Sequence, residues 1–229
     1  MLAHRVVVGA ATIAEVWKSV GRDVHLLDLV VIVKSGPLCV SFVKSATRMR
    51  DLPESPVEVA FVGRSNVGKS ALVNALANRK QLARVSNTPG RTRVINLFSL
   101  DEGAQAGTVV DLPGYGFAKA SKQVRRDWPE MIEGYLLERE ELAMVFVLVD
   151  GAIGPTNLDE QMLEWLRYHG VPHTVVATKL DKVKSSKRAT RRKDLAQGCH
   201  LDPGDVVWVS STKGDGIDQL RSLVRTWVG

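Results

Sequence analysis

Hydrophobic residues along the chain fall into short continuous runs, separated by longer segments in which apolar residues recur with a helical period. Short apolar runs bounded by turn residues are typical of strands, and amphipathic segments between them are typical of crossover helices. The runs predict strands at 57–62, 94–100, 108–111, 144–150, 174–178 and 206–210 and helices at 69–78, 122–138, 158–168, 186–197 and 217–227. This alternation predicts an α/β fold with a mostly parallel sheet and helices on both faces.

One connection in this pattern is too short for a helix. Only residues 101–107 lie between the second and third predicted strands, whereas parallel neighbours need a crossover of about a dozen residues or more. We therefore expect a six-stranded sheet in which one strand is antiparallel.

The first predicted strand and helix enclose a glycine-rich segment. Residues 63–70 read Gly-Arg-Ser-Asn-Val-Gly-Lys-Ser and match the phosphate-binding pattern G-x-x-x-x-G-K-S/T. Its glycines let backbone N–H groups surround a phosphate, and the helix that follows directs its N-terminal dipole at the same anion. A chance glycine turn is the alternative, which the strand before and the helix after disfavour. The residues expected to hold the phosphates are Gly63, Arg64, Ser65, Asn66, Val67, Gly68, Lys69 and Ser70.

Two of these residues and a second motif predict a magnesium site. In this pattern Lys69 reaches the β- and γ-phosphates, and Ser70 offers its hydroxyl to Mg²⁺. The third predicted strand ends in a D-x-x-G sequence, whose Asp111 would join the Mg²⁺ shell through water. Gly114 would donate its backbone N–H to the γ-phosphate. The whole motif, expected to contact the nucleotide, is Asp111, Leu112, Pro113 and Gly114.

Two further motifs, each after a strand, predict which base is bound. Asp181 can accept hydrogen bonds from both N1–H and the exocyclic amine of guanine, a donor pair that adenine lacks. The aliphatic stem of Lys179 would cover the base. A surface turn is the alternative, and the four motifs in this order favour a GTP-binding domain. The expected base-binding residues are Thr178, Lys179, Leu180 and Asp181, followed by Ser210, Ser211 and Thr212.

These motifs resemble those of the EngB/YihA/YsxC family of bacterial ribosome-biogenesis GTP-binding proteins, within the TRAFAC class of GTPases. The resemblance rests on residues 59–70, 87–98 and 111–116, and it extends from about residue 40 to the C-terminus. It implies a Ras-like P-loop G domain at 57–229 and a preceding strand and linker at 39–56, where two prolines mark the linker. Residues 1–38 resemble nothing in the family and are treated as an extension of unknown structure.

The resemblance also implies a second nucleotide-contacting segment and a cellular role. Thr92 would complete the Mg²⁺ shell with Ser70 and Asp111, and Thr88 is a less favoured candidate. The implied contacts of this segment are Gly90, Arg91, Thr92, Arg93 and Val94. The expected activity is hydrolysis of GTP to GDP and phosphate, as a switch in assembly of the large ribosomal subunit. Normal cell division and septation are expected to depend on it.

The residue after the D-x-x-G motif predicts slow hydrolysis. Ras-like enzymes place there a glutamine that orients the attacking water, whereas this chain has Tyr115. Lys69 and Gly114 would then act with an activator or a cation. Asn66 is a candidate K⁺ ligand where an arginine would otherwise supply charge; the alternative, equally open, is that Asn66 only stabilises the loop.

The basic residues are concentrated rather than spread. The formal net charge is +6, yet residues 79–93, 119–126 and 182–193 hold no acidic side chain. A solvated charged face is the ordinary explanation for one such run. Three such runs in one chain instead favour binding to RNA phosphates. The expected partner is pre-ribosomal rRNA, which would be recognised by its shape and its backbone charge. The most basic run contains Lys182, Lys184, Lys187, Arg188, Arg191, Arg192 and Lys193.

The sequence favours neither a membrane protein nor an oxidising compartment, although residues 4–14 bear a faint resemblance to a signal peptide. The longest apolar stretch, 24–33, is shorter than a membrane span and contains Asp28. Cys39 and Cys199 are far apart and form no metal-binding pair. We expect a cytoplasmic monomer. A second function class stays open: a GTP-gated binding module that couples to division proteins, with incidental hydrolysis.

Overall fold

The structure, a computed structural model, describes residues 36–80, 82, 94–101, 107–116 and 131–228. Seven strands of this part form one sheet in the spatial order β1-β3-β4-β2-β5-β6-β7. The strands are β1 (Val40–Ala46), β2 (Glu58–Gly63), β3 (Ile95–Leu100), β4 (Thr108–Asp111), β5 (Leu142–Asp150), β6 (His173–Thr178) and β7 (Val206–Trp208). The helices are α1 (Lys69–Leu76), α2 (residues 131–138), α3 (Asn157–Tyr168), α4 (Arg188–Gly198) and α5 (Ile217–Val228).

The sheet confirms the predicted mostly parallel architecture with one reversed strand. β2 runs parallel to β4 and β5, and β5, β6 and β7 are parallel to one another. Among the strands that the structure describes, only β3 is reversed, since it pairs antiparallel with both β4 and β1. The count of six strands is wrong, because β1 adds a seventh at the edge. Its five central residues are exposed, so no apolar alternation marks it in the sequence.

Apolar layers on both sides of the sheet confirm that helices cover both faces. One layer packs α1 and α5 against the sheet through residues such as Leu72, Leu220 and Trp227. The other packs α2, α3 and α4 through residues such as Ile132 and Leu163. Each large aliphatic side chain that is fully buried stabilises the fold by about 1.5–3 kcal/mol. The central strand β5 is apolar on both faces for the same reason.

Most element boundaries lie within one or two residues of the predicted ones, and two of the differences have a clear local reason. The backbone at Ser185–Lys187 forms a short 3₁₀ turn, so α4 begins at Arg188 rather than at 186. β7 ends at Trp208 rather than at 210, because the Ser210 N–H turns away and donates to the Asp215 carbonyl. Of the predicted helix at 122–138, the structure describes 131–138. None of the described helices combines the length and apolar character needed to cross a membrane.

A buried ion pair fixes the amino end of β2. The Glu58 carboxylate is fully buried and accepts hydrogen bonds from Arg139 Nη2 at 2.7 Å and Nε at 3.1 Å. The Tyr135 hydroxyl donates to the same carboxylate at 2.7 Å. Burial and the nearby charge of Glu58 raise the pKa of Tyr135, so the phenol stays protonated as a donor. Arg139 also donates to the Pro53 carbonyl at 2.6 Å, which ties the linker to the sheet.

We expect Arg139→Met to lower the free energy of unfolding by about 3 kcal/mol, because it leaves the Glu58 carboxylate buried without its cation. Urea denaturation measures the change. Arg48→Met is the matched control, since its ion pair with Asp51 is exposed and is worth less than about 1 kcal/mol. Equal effects of the two substitutions would contradict the role given to the buried pair.

Candidate functional site

The predicted motif residues gather at one edge of the sheet. β2, β4, β5, β6 and β7 are parallel, so their carboxyl ends lie on the same side. Gly63 ends β2, Asp111 ends β4, Thr178 ends β6, and Ser210 follows β7. The carboxyl edge of an open parallel sheet is where such folds hold ligands.

The glycine-rich segment 63–70 is closely packed where it follows β2 and has free space in front of its second glycine, Gly68. A Cβ on Gly63 would lie 2.9 Å from the Leu148 Cβ and carbonyl oxygen, so only glycine fits there. Gly68 precedes α1 with φ 108°, a left-handed conformation that favours glycine. A Cβ there would meet no described protein atom nearer than Lys179 Cε at 4.0 Å. No acidic side chain lies in the first turn of α1, so its N-terminus suits an anion.

Two predicted phosphate- and metal-side residues contact each other. Lys69 Nζ donates to Asp111 Oδ1, and both side chains are buried. Asn96 Nδ2 approaches the other carboxylate oxygen at 3.4 Å. Ser70, the second residue of α1, is half-buried. A carboxylate and a hydroxyl are hard oxygen donors, so Ser70 and Asp111 fit the requirements of Mg²⁺, which takes most other ligands from phosphate and water.

The end of the D-x-x-G motif is bonded to the loop through its backbone. The Tyr115 N–H donates to the Gly63 carbonyl at 3.2 Å, and its carbonyl accepts from Ser65 N at 2.9 Å and Ser65 Oγ at 3.1 Å. Gly114 lies between these contacts. A Cβ on Gly114 would be 3.2 Å from the Gly63 oxygen and from the Ser65 nitrogen. Gly114 therefore lies directly against the loop.

The motif after β6 is bonded to the other side of the same loop. The Thr178 hydroxyl donates to the Val67 carbonyl at 2.7 Å. Lys179 Nζ donates to the Asn66 carbonyl at 2.9 Å and to Asp150 Oδ2 at 2.7 Å. The loop is therefore bonded to segments that follow both β4 and β6.

Asp181 is held by the segment that follows β7. Its carboxylate accepts from the Ser210 hydroxyl at 2.8 Å. This hydrogen bond lowers the pKa of Asp181 below its usual value although burial opposes it, so the group stays ionised. The Ser210 hydroxyl also accepts from Lys213 N at 3.1 Å and shares a hydrogen bond with the Thr212 hydroxyl at 3.1 Å. Ser211 is half-buried beside them.

The remaining predicted residues divide into described and undescribed ones. Gly90, Arg91, Thr92 and Arg93 lie outside the described residues, as does the basic stretch 119–126. Val94 is half-buried just before β3. Leu112 and Pro113 are buried, and Leu180 is buried with its N–H on the Val209 carbonyl at 3.1 Å. Asn66 is exposed with φ 66°, and its side chain makes no hydrogen bond to another described residue.

The sequence did not reveal a buried polar cluster beside the loop. The Tyr115 hydroxyl donates to Asp159 Oδ1 at 2.7 Å, and Arg64 Nε lies 4.0 Å from Asp159 Oδ2. Asp159 also caps α3 by accepting from Thr156 N at 2.9 Å and Thr156 Oγ1 at 2.7 Å. The spacing of Thr156 and Asp159 is that of a capping box. That signal could have marked Asp159, although not its contact with Tyr115.

The basic run 182–193 lies on the surface. Five of its seven basic side chains are exposed, and Arg188 and Arg191 are half-buried. Within the described part of the chain, none of the seven forms an ion pair with an acidic side chain. The Arg192 guanidinium lies 5.9 Å from the centroid of the Trp208 ring. The run begins directly after Asp181, so this basic surface adjoins the guanine motif.

Comparison with known proteins places these features in a family. Residues 58–179 match the family model described as 50S ribosome-binding GTPase. The chain is similar to the probable GTP-binding protein EngB of Pelotomaculum thermopropionicum, with 46% identity over 190 residues, which cover 82% of this chain and 94% of that protein.

Solved structures agree with this match. The crystal structure of a probable GTP-binding protein EngB has a TM-score of 0.60 and 26% identity, and covers 74% of this chain and 97% of that one. A variant of Aquifex aeolicus Era bound to GDP and AlF4⁻ has a TM-score of 0.61 and 25% identity, over 75% of this chain and 56% of that one. The chain belongs to the EngB family of GTP-binding proteins, within the P-loop GTPases.

Proposed function

We propose that this protein binds GTP at the carboxyl edge of its sheet and hydrolyses it as a switch in assembly of the large ribosomal subunit. Normal cell division and septation would depend on that assembly. One observation carries the nucleotide site: the loop at 63–70 is hydrogen-bonded to two segments far from it in sequence, 111–115 and 178–181, at the same edge of the sheet. This convergence supports a single ligand that contacts all of them.

The phosphates would lie in the loop at 63–70. Lys69 would exchange its present partner, Asp111, for the β- and γ-phosphates, and the backbone N–H groups at the start of α1 would hold the same oxygens. Ser70, Asp111 and Thr92 would hold Mg²⁺, which when bound neutralises charge on the phosphate oxygens. The hard oxygen donors of Ser70 and Asp111 support this assignment.

Guanine would be recognised by Asp181. Its ionised carboxylate can accept two hydrogen bonds from the base, and the Ser210 hydroxyl keeps it oriented. The position of Lys179, held by Asp150 and by the Asn66 carbonyl, supports a role for its stem in covering the base.

Hydrolysis would depend on positive charge and hydrogen-bond donors held beside the γ-phosphate, because no side-chain amide follows Gly114 to orient the attacking water. The Tyr115 side chain is buried against Asp159, so it does not offer a group to the attacking water. Gly114 would donate its N–H to the γ-phosphate. We further propose Asn66 as a K⁺ ligand, an assignment supported by its exposure at the mouth of the loop.

The ribosomal part of the proposal is supported by the basic surface and by the family model's description as a 50S ribosome-binding GTPase. Exposed Lys and Arg side chains at 182–193 would neutralise rRNA phosphates. Because this surface begins next to Asp181, the bound nucleotide and the rRNA contact would lie on neighbouring residues.

Asp181→Asn is expected to weaken GTP binding by about tenfold or more and to favour XTP, because the amide cannot accept from both guanine donors. Fluorescence titration with labelled GTP and XTP measures both affinities. Asp202→Asn is the control, since Asp202 is exposed and away from the motif. Unchanged GTP affinity in Asp181→Asn would refute the guanine assignment.

Turnover is expected to be faster in K⁺ than in Na⁺ at equal ionic strength. Asn66→Gly should abolish the difference, because glycine keeps the left-handed backbone while removing the ligand. Asn78→Gly is the matched control, since Asn78 is also exposed and has φ 51°, and this variant should keep the difference between K⁺ and Na⁺. Equal rates of the unaltered protein in the two salts would rule out the K⁺ site.

Co-sedimentation with large-subunit precursors should require the GTP state. The double variant Lys184→Ala/Lys187→Ala should bind particles more weakly, with a salt dependence reduced by about one unit of slope per lost phosphate contact. Lys44→Ala/Arg50→Ala removes two exposed charges at the β1 end of the protein and should bind normally. If the protein binds particles equally well with GTP and GDP, or does not bind them, the alternative of a binding module that couples to division proteins would be favoured instead.

A further inference from the structure

Tyr115 directly follows Gly114, the residue expected to contact the γ-phosphate, but the Tyr115 side chain points into the interior of the protein. The side chain is 3% exposed, and its hydroxyl donates to Asp159 Oδ1 at 2.7 Å. Burial, with the charge of Asp159, raises the pKa of Tyr115 far above its ordinary value. The phenol therefore stays protonated and keeps donating to Asp159.

Asp159 is itself firmly held. One carboxylate oxygen accepts from both the backbone N–H and the hydroxyl of Thr156. Its helix is anchored to the sheet through Leu163 and Leu166, both buried. Arg64 Nε, which is buried, lies 4.0 Å from the same oxygen and has no closer described hydrogen-bond partner. The cluster thus joins the loop, the D-x-x-G segment and α3.

The backbone of Tyr115 is bonded to the loop on the opposite side. It donates to the Gly63 carbonyl and accepts two hydrogen bonds from Ser65. Tyr115 is therefore held from two sides, by α3 through its phenol and by the loop through its backbone. Gly114 precedes it by one peptide bond, so the orientation of the Gly114 N–H depends on where Tyr115 is fixed.

We propose that Tyr115 is a positioning residue for GTP hydrolysis, held by Asp159 through its phenol and by the loop through its backbone, so that Gly114 stays in place against the phosphate-binding loop. This inference rests on the proposed placement of the γ-phosphate beside Gly114. The proposal has a specific consequence. Loss of the phenol hydroxyl should slow the hydrolysis step, which involves the γ-phosphate. It should leave the affinity for GDP unchanged, because GDP has no γ-phosphate.

Tyr115→Phe and Tyr135→Phe form a matched pair for the test. Each removes one buried tyrosine hydroxyl that donates to a carboxylate at 2.7 Å, and the partner of Tyr135 is Glu58 at the amino end of β2, the end opposite the loop. Single-turnover hydrolysis at saturating GTP, GDP affinity and urea unfolding are measured for both. We expect Tyr115→Phe to hydrolyse GTP about tenfold more slowly with unchanged GDP affinity, and Tyr135→Phe to hydrolyse at the normal rate despite a similar loss of stability.

Asp159→Asn gives an independent measurement. The amide has one oxygen in place of two, so it cannot accept from both Thr156 and Tyr115. It should therefore slow hydrolysis, and the double variant should be no slower than the slower single one, because both changes weaken the same contact. A normal single-turnover rate in Tyr115→Phe, equal slowing in Tyr135→Phe, or fully additive slowing in the double variant would overturn the inference.

Gly114→Ala separates this inference from the proposed function. The added methyl would lie 3.2 Å from the Gly63 oxygen and should displace the N–H. Slow hydrolysis in Gly114→Ala with a normal rate in Tyr115→Phe would refute the positioning role alone. A normal rate in Gly114→Ala would refute the placement of the γ-phosphate itself.

Discussion

The candidate site depends on one close approach between β2 and β5. Gly63 leaves β2 so near to Leu148 that no side chain fits, and this fixes where the phosphate-binding loop begins. Its carbonyl then accepts from the Tyr115 N–H, and the later part of the loop is held by the Thr178 hydroxyl on the Val67 carbonyl. A loop bonded on both sides has a defined shape before any ligand arrives, which lowers the entropic cost of binding.

Most of the fold and the nucleotide motifs could be predicted from sequence because each leaves a local signal. β5 is covered on both faces and therefore reads as an unbroken apolar run. The loop at 63–70 needs glycine at fixed spacing, and the short connection at 101–107 excludes a crossover helix. These constraints act within a few residues, so a single sequence records them.

The features that could not be predicted are those that depend on distant residues. β1 has five exposed residues, so the hydrophobic pattern did not mark it and only the family resemblance indicated a strand there; it pairs with the edge of β3, which is distant in sequence. The contact of Tyr115 with Asp159 joins residues 44 positions apart, and no local pattern encodes it. Sequence alone therefore showed that Tyr115 cannot replace a catalytic amide, whereas the structure shows where its side chain lies. The basic run 182–193 and its place directly after Asp181 were visible in sequence, whereas the structure shows which of its side chains are exposed.

A crystal structure with Mg²⁺ and a non-hydrolysable GTP analogue tests the central claim most directly. The predicted result has the phosphates enclosed by the backbone of residues 63–70 and guanine on the Asp181 carboxylate. Lys69 Nζ should have left Asp111 for a phosphate oxygen, and the γ-phosphate should lie beside the Gly114 N–H. A nucleotide bound elsewhere, or a guanine that makes no contact with Asp181, would contradict the assignment of this edge of the sheet as the GTP site.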